Sequence, residues 1–173
     1  MKLFLILAAV LTLSVPALSI GRGAPSGDGD GLKPMPALKL KTLEDHQVDV
    51  EGLRGKILVL DFWATWCGPC IKEIPAYNEL QEKYADKGVK LIGVTVASGE
   101  ATDVKPFVSR HNMKYTVLMG NDELAYDFNV RAFPTTFLVT SDWKIYRRYI
   151  GGGPAKIQKL ESDIQELLSR EGK

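Results

Sequence analysis

The chain has 173 residues, 45% of them hydrophobic, which suits a single globular domain with an ample core. Its 22 lysines and arginines nearly balance 21 acidic residues, which excludes the strongly basic surface expected of a nucleic-acid-binding protein. Only two cysteines are present, so the chain is not a small domain stabilised by several disulfides.

Residues 1–19 have the organisation of a secretory signal peptide. Lys2 gives a positive start, residues 3–13 form an apolar run, and the segment ends at Ser19 in a small-x-small pattern. The apolar run is shorter than the ~18 residues of a membrane-spanning helix, and Pro16 interrupts its extension. We therefore expect cleavage after Ser19 and a periplasmic or otherwise extracytoplasmic protein, with an uncleaved anchor as the alternative.

The segment after the signal peptide is predicted to be a flexible linker over 20–36, because it is rich in glycine and proline and lacks apolar periodicity. The folded domain is then predicted over 37–173. It opens with two short alternating strands, at 38–41 and 47–50, separated by a turn.

Residues 57–63 are continuously hydrophobic apart from Asp61, which is typical of a strand buried on both faces of an α/β sheet. Cys67-Gly68-Pro69-Cys70 follows, at the point where apolar residues at helical spacing from Ile71 to Tyr84 predict a helix. A bridge between cysteines this close removes little chain entropy from the unfolded state. Their spacing therefore suits chemistry better than stabilisation.

The rest of the chain alternates between predicted strands and helices. The strands are predicted at 89–96, 115–119, 135–140 and 144–150, and the helices at 102–111, 123–128 and 154–168. The last two strands are expected to be antiparallel.

Two motifs resemble those of the thioredoxin superfamily. The run 61–70 is similar to the thioredoxin active site, and Phe133-Pro134-Thr135-Thr136 is similar to the cis-proline loop of the same fold. Lys72-Glu73-Ile74-Pro75 and the surrounding layout most resemble the exported TlpA/ResA-like branch. The resemblance covers 36–170 and implies a thioredoxin-like three-layer α/β/α sandwich with a mixed central sheet and N-terminal strand additions.

The chemistry expected at the motif is thiol–disulfide exchange. The first turn of a helix favours a thiolate at Cys67, because unpaired amides and the helix dipole stabilise negative charge there. Cys67 would then attack a substrate disulfide and Cys70 would resolve the mixed disulfide, which makes the pair a redox-active disulfide.

Two carboxylates are candidate proton carriers. Asp61 would be costly to bury ionised, so its pKa is expected to be raised, and the resemblance implies that it assists deprotonation of Cys70. The alternative for Asp61 is a strand-end residue bonded to nearby backbone.

Glu73 lies about one turn beyond Cys70. In ResA-like proteins a glutamate at this offset is linked to acid–base behaviour, and the alternative is an exposed helix glutamate beside Lys72.

The resemblance also implies a surface that binds the substrate. A cis Phe133–Pro134 peptide bond would face the cysteines, and the backbone before Pro134 would pair with an extended substrate. Phe133 would shape one side of this surface, and Trp66, Gly68 and Pro69 the other side.

Metal sites explain the two cysteines less well. A structural zinc site needs four ligands, and the two histidines, His46 and His111, stand in unrelated segments. A c-type haem needs a histidine directly after the second cysteine, where Ile71 stands, and an iron–sulfur cluster lacks its further cysteines. We therefore expect neither a metal nor another cofactor.

The sequence thus predicts an exported, monomeric thiol-disulfide oxidoreductase that acts on disulfide-containing proteins. Gly68-Pro69 between the cysteines resembles thioredoxin rather than a strongly oxidising enzyme, which favours a reductase. Resemblance to the branch implies apocytochrome c as a substrate and a membrane thiol carrier of the DsbD/CcdA type as the electron donor.

Two alternatives remain: a thiol-independent binding or chaperone module, and a thiol peroxidase of the peroxiredoxin type. In peroxiredoxins the usual threonine lies three residues before the nucleophile, whereas Thr65 lies two before Cys67.

Overall fold

The structure, a computed structural model of the chain, describes residues 31–172. The predicted signal peptide and the greater part of the predicted linker lie outside the described residues. Within 31–172, no helix combines the length and the apolar character needed to cross a bilayer.

The described residues form eight strands and four α-helices. The strands are β1 (Lys33–Pro34), β2 (Lys39–Thr42), β3 (Gln47–Asp49), β4 (Ile57–Trp63), β5 (Val89–Thr95), β6 (Thr116–Met119), β7 (Thr135–Val139) and β8 (Lys144–Ile150). The helices are α1 (Gly68–Tyr84), α2 (Ala101–Arg110), α3 (Asp122–Asp127) and α4 (Pro154–Arg170), with short 3-10 helices at Val50–Leu53 and Ala85–Lys87.

The strands form one mixed sheet in the order β1-β8-β7-β4-β5-β6-β2-β3. The neighbours β4, β5 and β6 run parallel, because helices connect them, and the other neighbouring pairs are antiparallel. Helices α1, α2 and α4 contribute to the core on one face of the sheet, and α3 packs on the other face with the N-terminal segment. This confirms the predicted thioredoxin-like α/β/α sandwich with N-terminal strand additions.

Strand β4 is buried along its whole length between these two layers. Alternation along the strand sends Leu58, Leu60 and Phe62 into the core on the α3 face. Ile57, Val59 and Trp63 point into the core on the opposite face. By the same alternation the Asp61 side chain points toward α1 and α4. This orientation brings its carboxyl group to the helix residues that form the candidate site.

Residues 33–35, which lie inside the predicted linker, are part of the folded domain. Lys33–Pro34 pairs with β8, and the Met35 N–H donates to the Trp143 carbonyl at 2.9 Å. The Met35 side chain is buried in the core on the α3 face. The prolines here indicate a loop by composition, but proline is tolerated in an edge strand, so this part of the linker prediction is wrong.

Candidate active site

The two cysteines lie at the N-terminus of α1 and are joined by a disulfide. Cys67 is the N-cap residue, with extended backbone dihedrals, and its Sγ accepts a hydrogen bond from the Cys70 N–H at 3.3 Å. Pro69 in the first turn suits a helix start, since its fixed φ is helical and its missing N–H would have no partner there. The helix therefore presents Cys67 Sγ to its unpaired amides, as thiolate stabilisation requires.

The Phe133–Pro134 peptide bond is cis, as the resemblance implied. Phe133 lies edge-on to Trp66, with their ring centroids 5.9 Å apart. The Trp66 indole N–H donates to the Ala97 carbonyl at 2.7 Å, which holds this largely exposed ring in place. Pro134 itself is buried, and its carbonyl accepts a hydrogen bond from the Gly151 N–H at 2.9 Å.

A groove of about 670 Å³ runs between α1 and the cis-proline loop. Of the residues predicted to bind substrate, Trp66, Gly68, Pro69 and Phe133 line it together with Cys67. Pro134 is not among its lining residues, because its ring lies beneath the surface. The structure thus brings the C-x-x-C motif and the cis-proline loop to one concave surface.

Asp61 is buried in the core, with 2% of its area exposed. Its Oδ1 accepts hydrogen bonds from the Thr136 hydroxyl at 2.6 Å and the Tyr77 hydroxyl at 3.1 Å. The Lys156 ammonium lies 3.9 Å from the same oxygen. These partners are side chains from β7, α1 and α4, so the alternative of a strand-end residue bonded to backbone does not describe Asp61.

Burial raises the pKa of Asp61 to about 6, against the lowering effects of the Lys156 charge and the Thr136 hydrogen bond. The raised pKa expected from the sequence is therefore present. A carboxyl group with this pKa changes its charge within the range where thiol exchange proceeds, so it can both accept and return a proton.

Glu73 is also buried, and the alternative of an exposed helix glutamate is wrong. Its Oε1 accepts a hydrogen bond from the Gly153 N–H at 2.8 Å, and its Oε2 pairs with the Lys156 ammonium at 2.8 Å. In the sequence Glu73 stands beside Lys72 and looks solvated. The structure turns it instead toward the start of α4, which follows it by 80 residues or more.

Lys156 is the functional candidate that the sequence reasoning missed. It lies in the first turn of α4 with only 8% of its side chain exposed, between the carboxylates of Glu73 and Asp61. A signal for it does exist in the sequence. Lys156 stands four residues before Leu160, so the helical period places it on the apolar stripe of α4, where a lysine is out of place.

Two tyrosines complete the buried surroundings of Asp61. The rings of Tyr77 and Tyr115 meet edge to face with centroids 5.9 Å apart. Burial, reinforced by the negative charges of Asp61 and Glu73, raises the pKa of both phenols well above the ordinary value. They remain neutral, and Tyr77 serves as a hydrogen-bond donor.

The family follows from comparison with known proteins. Residues 32–148 match the model of the AhpC/TSA family. The chain belongs to the AhpC/TSA family. It is 36% identical to the thiol-disulfide oxidoreductase ResA of Bacillus cereus over 136 residues, which cover 78% of this chain and 77% of that one. It is 34% identical to the thioredoxin-like protein YneN of Bacillus subtilis, with 75% and 76% of the two chains covered.

A solved structure shows the same architecture. A proposed thiol:disulfide interchange protein DsbE from Chlorobium tepidum superposes with a TM-score of 0.74 at 28% identity, covering 79% of this chain and 96% of the other. Together with the cysteine pair at the start of α1, these relatives establish this family member as a thiol-disulfide oxidoreductase.

Proposed function

We propose that this oxidoreductase works as a reductase of protein disulfides outside the cytoplasm. The observation that carries the proposal is the position of Cys67 as the N-cap of α1, where it lines a groove shared with the cis-proline loop residue Phe133. The helix start stabilises the attacking thiolate, the groove accommodates an extended substrate, and Asp61 handles the proton.

In the proposed reaction the Cys67 thiolate attacks one sulfur of a substrate disulfide, and the other substrate sulfur leaves as a thiolate. Cys70 then transfers its thiol proton to the Asp61 carboxylate and attacks Cys67 Sγ. The bond from Cys67 to the substrate breaks, and the Cys67–Cys70 disulfide forms. The substrate has gained two electrons, and its two sulfur atoms, released as thiolates, become thiols by taking one proton from Asp61 and one from water. The enzyme is left in the oxidised state seen in the structure.

The setting of the reaction is proposed from the sequence. The predicted signal peptide supports an extracytoplasmic location, and resemblance to the TlpA/ResA-like branch supports apocytochrome c among the substrates. A reductase in an oxidising compartment must be recharged, so we propose a membrane thiol carrier of the DsbD/CcdA type as its donor. We propose that the protein acts as a monomer.

A trapping experiment tests the assigned roles. Reduced Cys70→Ser mixed with insulin, a protein with disulfides, should accumulate a covalent complex that dithiothreitol releases, because the resolving thiol is absent. Cys67→Ser should form none. A complex with Cys67→Ser alone would reverse the two roles, and wild-type protein that fails to reduce insulin would overturn the proposed function.

The direction of electron flow has its own test. Equilibrating the cysteine pair with glutathione or dithiothreitol buffers gives its reduction potential. We expect a value near the ~−270 mV of thioredoxin, and a value near the ~−120 mV of DsbA would overturn the reductase assignment.

The peroxidase and binding alternatives predict other outcomes. Membership of the AhpC/TSA family keeps a thiol peroxidase in view. Thr65 precedes Cys67 by two residues and its N–H donates to the Ser98 hydroxyl at 3.0 Å. We expect no peroxide consumption by the reduced protein above that of a small thiol.

A thiol-independent module would retain full activity in a Cys67→Ala, Cys70→Ala double variant, whereas a reductase would lose it.

A further inference from the structure

Lys156 occupies an unusual position for a lysine. Its ammonium lies 2.8 Å from Glu73 Oε2 and 3.9 Å from Asp61 Oδ1, and 5.4 Å from the centroid of the Tyr77 ring. Both carboxylates have 4% or less of their side chains exposed. Burying an ammonium is costly unless it is paired, so the position of Lys156 depends on both acids, and their charge state depends on it.

We propose that Lys156 is a positioning residue that controls how readily Asp61 takes up the exchange proton, through its contacts with Asp61 and Glu73. It acts through these acids and does not touch the reacting sulfurs. The inference rests on the proposed role of Asp61 as the base for Cys70. It adds that Lys156 controls the pH at which Asp61 can act as that base.

The two acids differ in the charge of their partners. Both oxygens of Glu73 are engaged by positive groups: the Lys156 ammonium, and the N–H of Gly153, which is the N-cap residue of α4. The dipole of α4 adds positive potential at the same place. Among residues 31–172, the side chains that donate hydrogen bonds to the Asp61 carboxylate carry neutral hydroxyls, and the ammonium lies more than 1 Å farther from Asp61 than from Glu73. The ammonium is therefore held mainly by Glu73 and only partly offsets the charge of Asp61.

Polar and ionisable side chains from every element packed here surround Lys156 and the two carboxylates. Together these groups are Asp61 on β4, Glu73 and Tyr77 on α1, Tyr115 before β6, Thr136 on β7 and Lys156 on α4. The tyrosines remain neutral because burial raises their pKa. The charge balance is thus set by two acids and one lysine, and removal of the lysine leaves two like charges in a buried space.

Titration of Asp61 in the oxidised protein tests the proposal without requiring activity. The chemical shift of the Asp61 carboxyl carbon, followed by NMR against pH, should show a midpoint near 6 in the wild type. Lys156→Met should raise the midpoint by about 1 to 3 pH units, because an opposite charge near the carboxylate is lost. Glu73→Gln should lower it, since a like charge is removed and the ammonium can pair with Asp61. The double variant should fall between the two.

Lys159→Met is the matched control. Lys159 lies one turn further along α4, is 52% exposed, and pairs with Asp163 rather than with the active-site acids. It should leave the Asp61 midpoint unchanged. Lys156→Gln is a smaller change for use where Lys156→Met fails to fold, and it should raise the midpoint in the same direction.

An Asp61 midpoint in the Lys156 variants equal to that of the wild type would overturn the proposal. So would an equal shift in Lys159→Met, because the effect would then belong to α4 as a whole. The pH at which Cys70 resolves a mixed disulfide should move with the Asp61 midpoint, which a merely structural lysine would not cause. Wild-type protein that titrates as expected but reduces no insulin would instead overturn the proposed function alone.

Discussion

The Thr136 hydroxyl donates a hydrogen bond to Asp61 Oδ1 at 2.6 Å, across the register pair that joins strands β7 and β4. Thr136 follows the cis proline, Pro134, by two residues. The strand that leaves the substrate surface therefore leads directly to the buried carboxyl group. The surface loop and the acid belong to one unit, and a change in β7 can alter proton transfer without touching the cysteines.

Thr136→Val should raise the pKa of Asp61, because the hydroxyl donates to the charged form of the carboxyl. Loss of a hydrogen bond to a charged group corresponds to an upward shift of about one pH unit. The shift is measurable as the midpoint of the Asp61 titration, and as the pH dependence of mixed-disulfide resolution by Cys70.

The neighbouring threonine provides the control. The Thr135 hydroxyl is bonded to the Ala132 carbonyl at 2.8 Å and makes no contact with Asp61 among the hydrogen bonds described. Thr135→Val should lower stability to a similar extent and leave the midpoint unchanged. Equal shifts in the two variants would contradict the assigned role of the Thr136 hydroxyl.

Asp61→Asn should stabilise the folded protein in a pH-dependent way. Burial raises the Asp61 pKa from 3.8 to about 6, so the folded state binds this proton more tightly than the unfolded chain does. The resulting stability is fully present below pH 3.8 and is lost as the pH rises through about 6. At pH 7 the variant should be more stable by up to about 3 kcal/mol, and the gain should disappear near pH 4. Urea unfolding of the disulfide-intact proteins at the two pH values measures it.

Asp163→Asn should change the stability of the folded protein in the opposite direction to Asp61→Asn. Burial acts to raise the pKa of Asp163, but the net shift is downward because Lys159, Tyr149 and Arg147 favour the charged form. Its stabilising contribution is present at neutral pH and is lost as the pH falls through the lowered pKa. Asp163→Asn should therefore destabilise the protein at pH 7. If both variants changed stability at pH 7 in the same direction, the amide substitution itself, and not the pKa of the replaced acid, would determine the change in stability.

The sequence predicts well those parts of the site that depend on neighbouring residues. The apolar run of β4 and the C-x-x-C at its end place the cysteines on a strand-to-helix junction, and the single charge in that run marks Asp61 as buried. The pairing of Glu73 with Lys156 could not be predicted in this way. These two residues are 83 positions apart and meet only because α4 packs beside the start of α1. A pattern within one helix indicates that Lys156 faces the core, but it does not say which acid it will meet.

Gly93→Ala should destabilise the protein through the core beside the site. Gly93 pairs in register with Asp61, and a Cβ at this position would lie 2.9 Å from the Trp63 Nε1 and 3.0 Å from the Tyr115 ring. Both rings are buried and have little room to move, so overpacking should cost about 1 to 3 kcal/mol. Thermal or urea unfolding measures the loss. Gly52→Ala, where an added Cβ meets no atom within 4 Å, should change stability far less, and an equal loss there would contradict the packing argument.

Trp66→Ala should weaken the reduction of protein disulfides while sparing the fold. The side chain is 65% exposed and edges the groove opposite Phe133, so its loss should change stability by no more than about 1 kcal/mol. An aromatic anchor on a binding surface contributes enough that KM for a protein disulfide should rise about tenfold. A small linear disulfide such as 2-hydroxyethyl disulfide does not fill the groove and should be reduced at the wild-type rate. Trp66→Phe, which keeps a ring but loses the hydrogen bond to Ala97, should give an intermediate KM. Equal losses with the protein and the small disulfide would mean that Trp66 acts on the reactivity of Cys67 rather than on substrate binding.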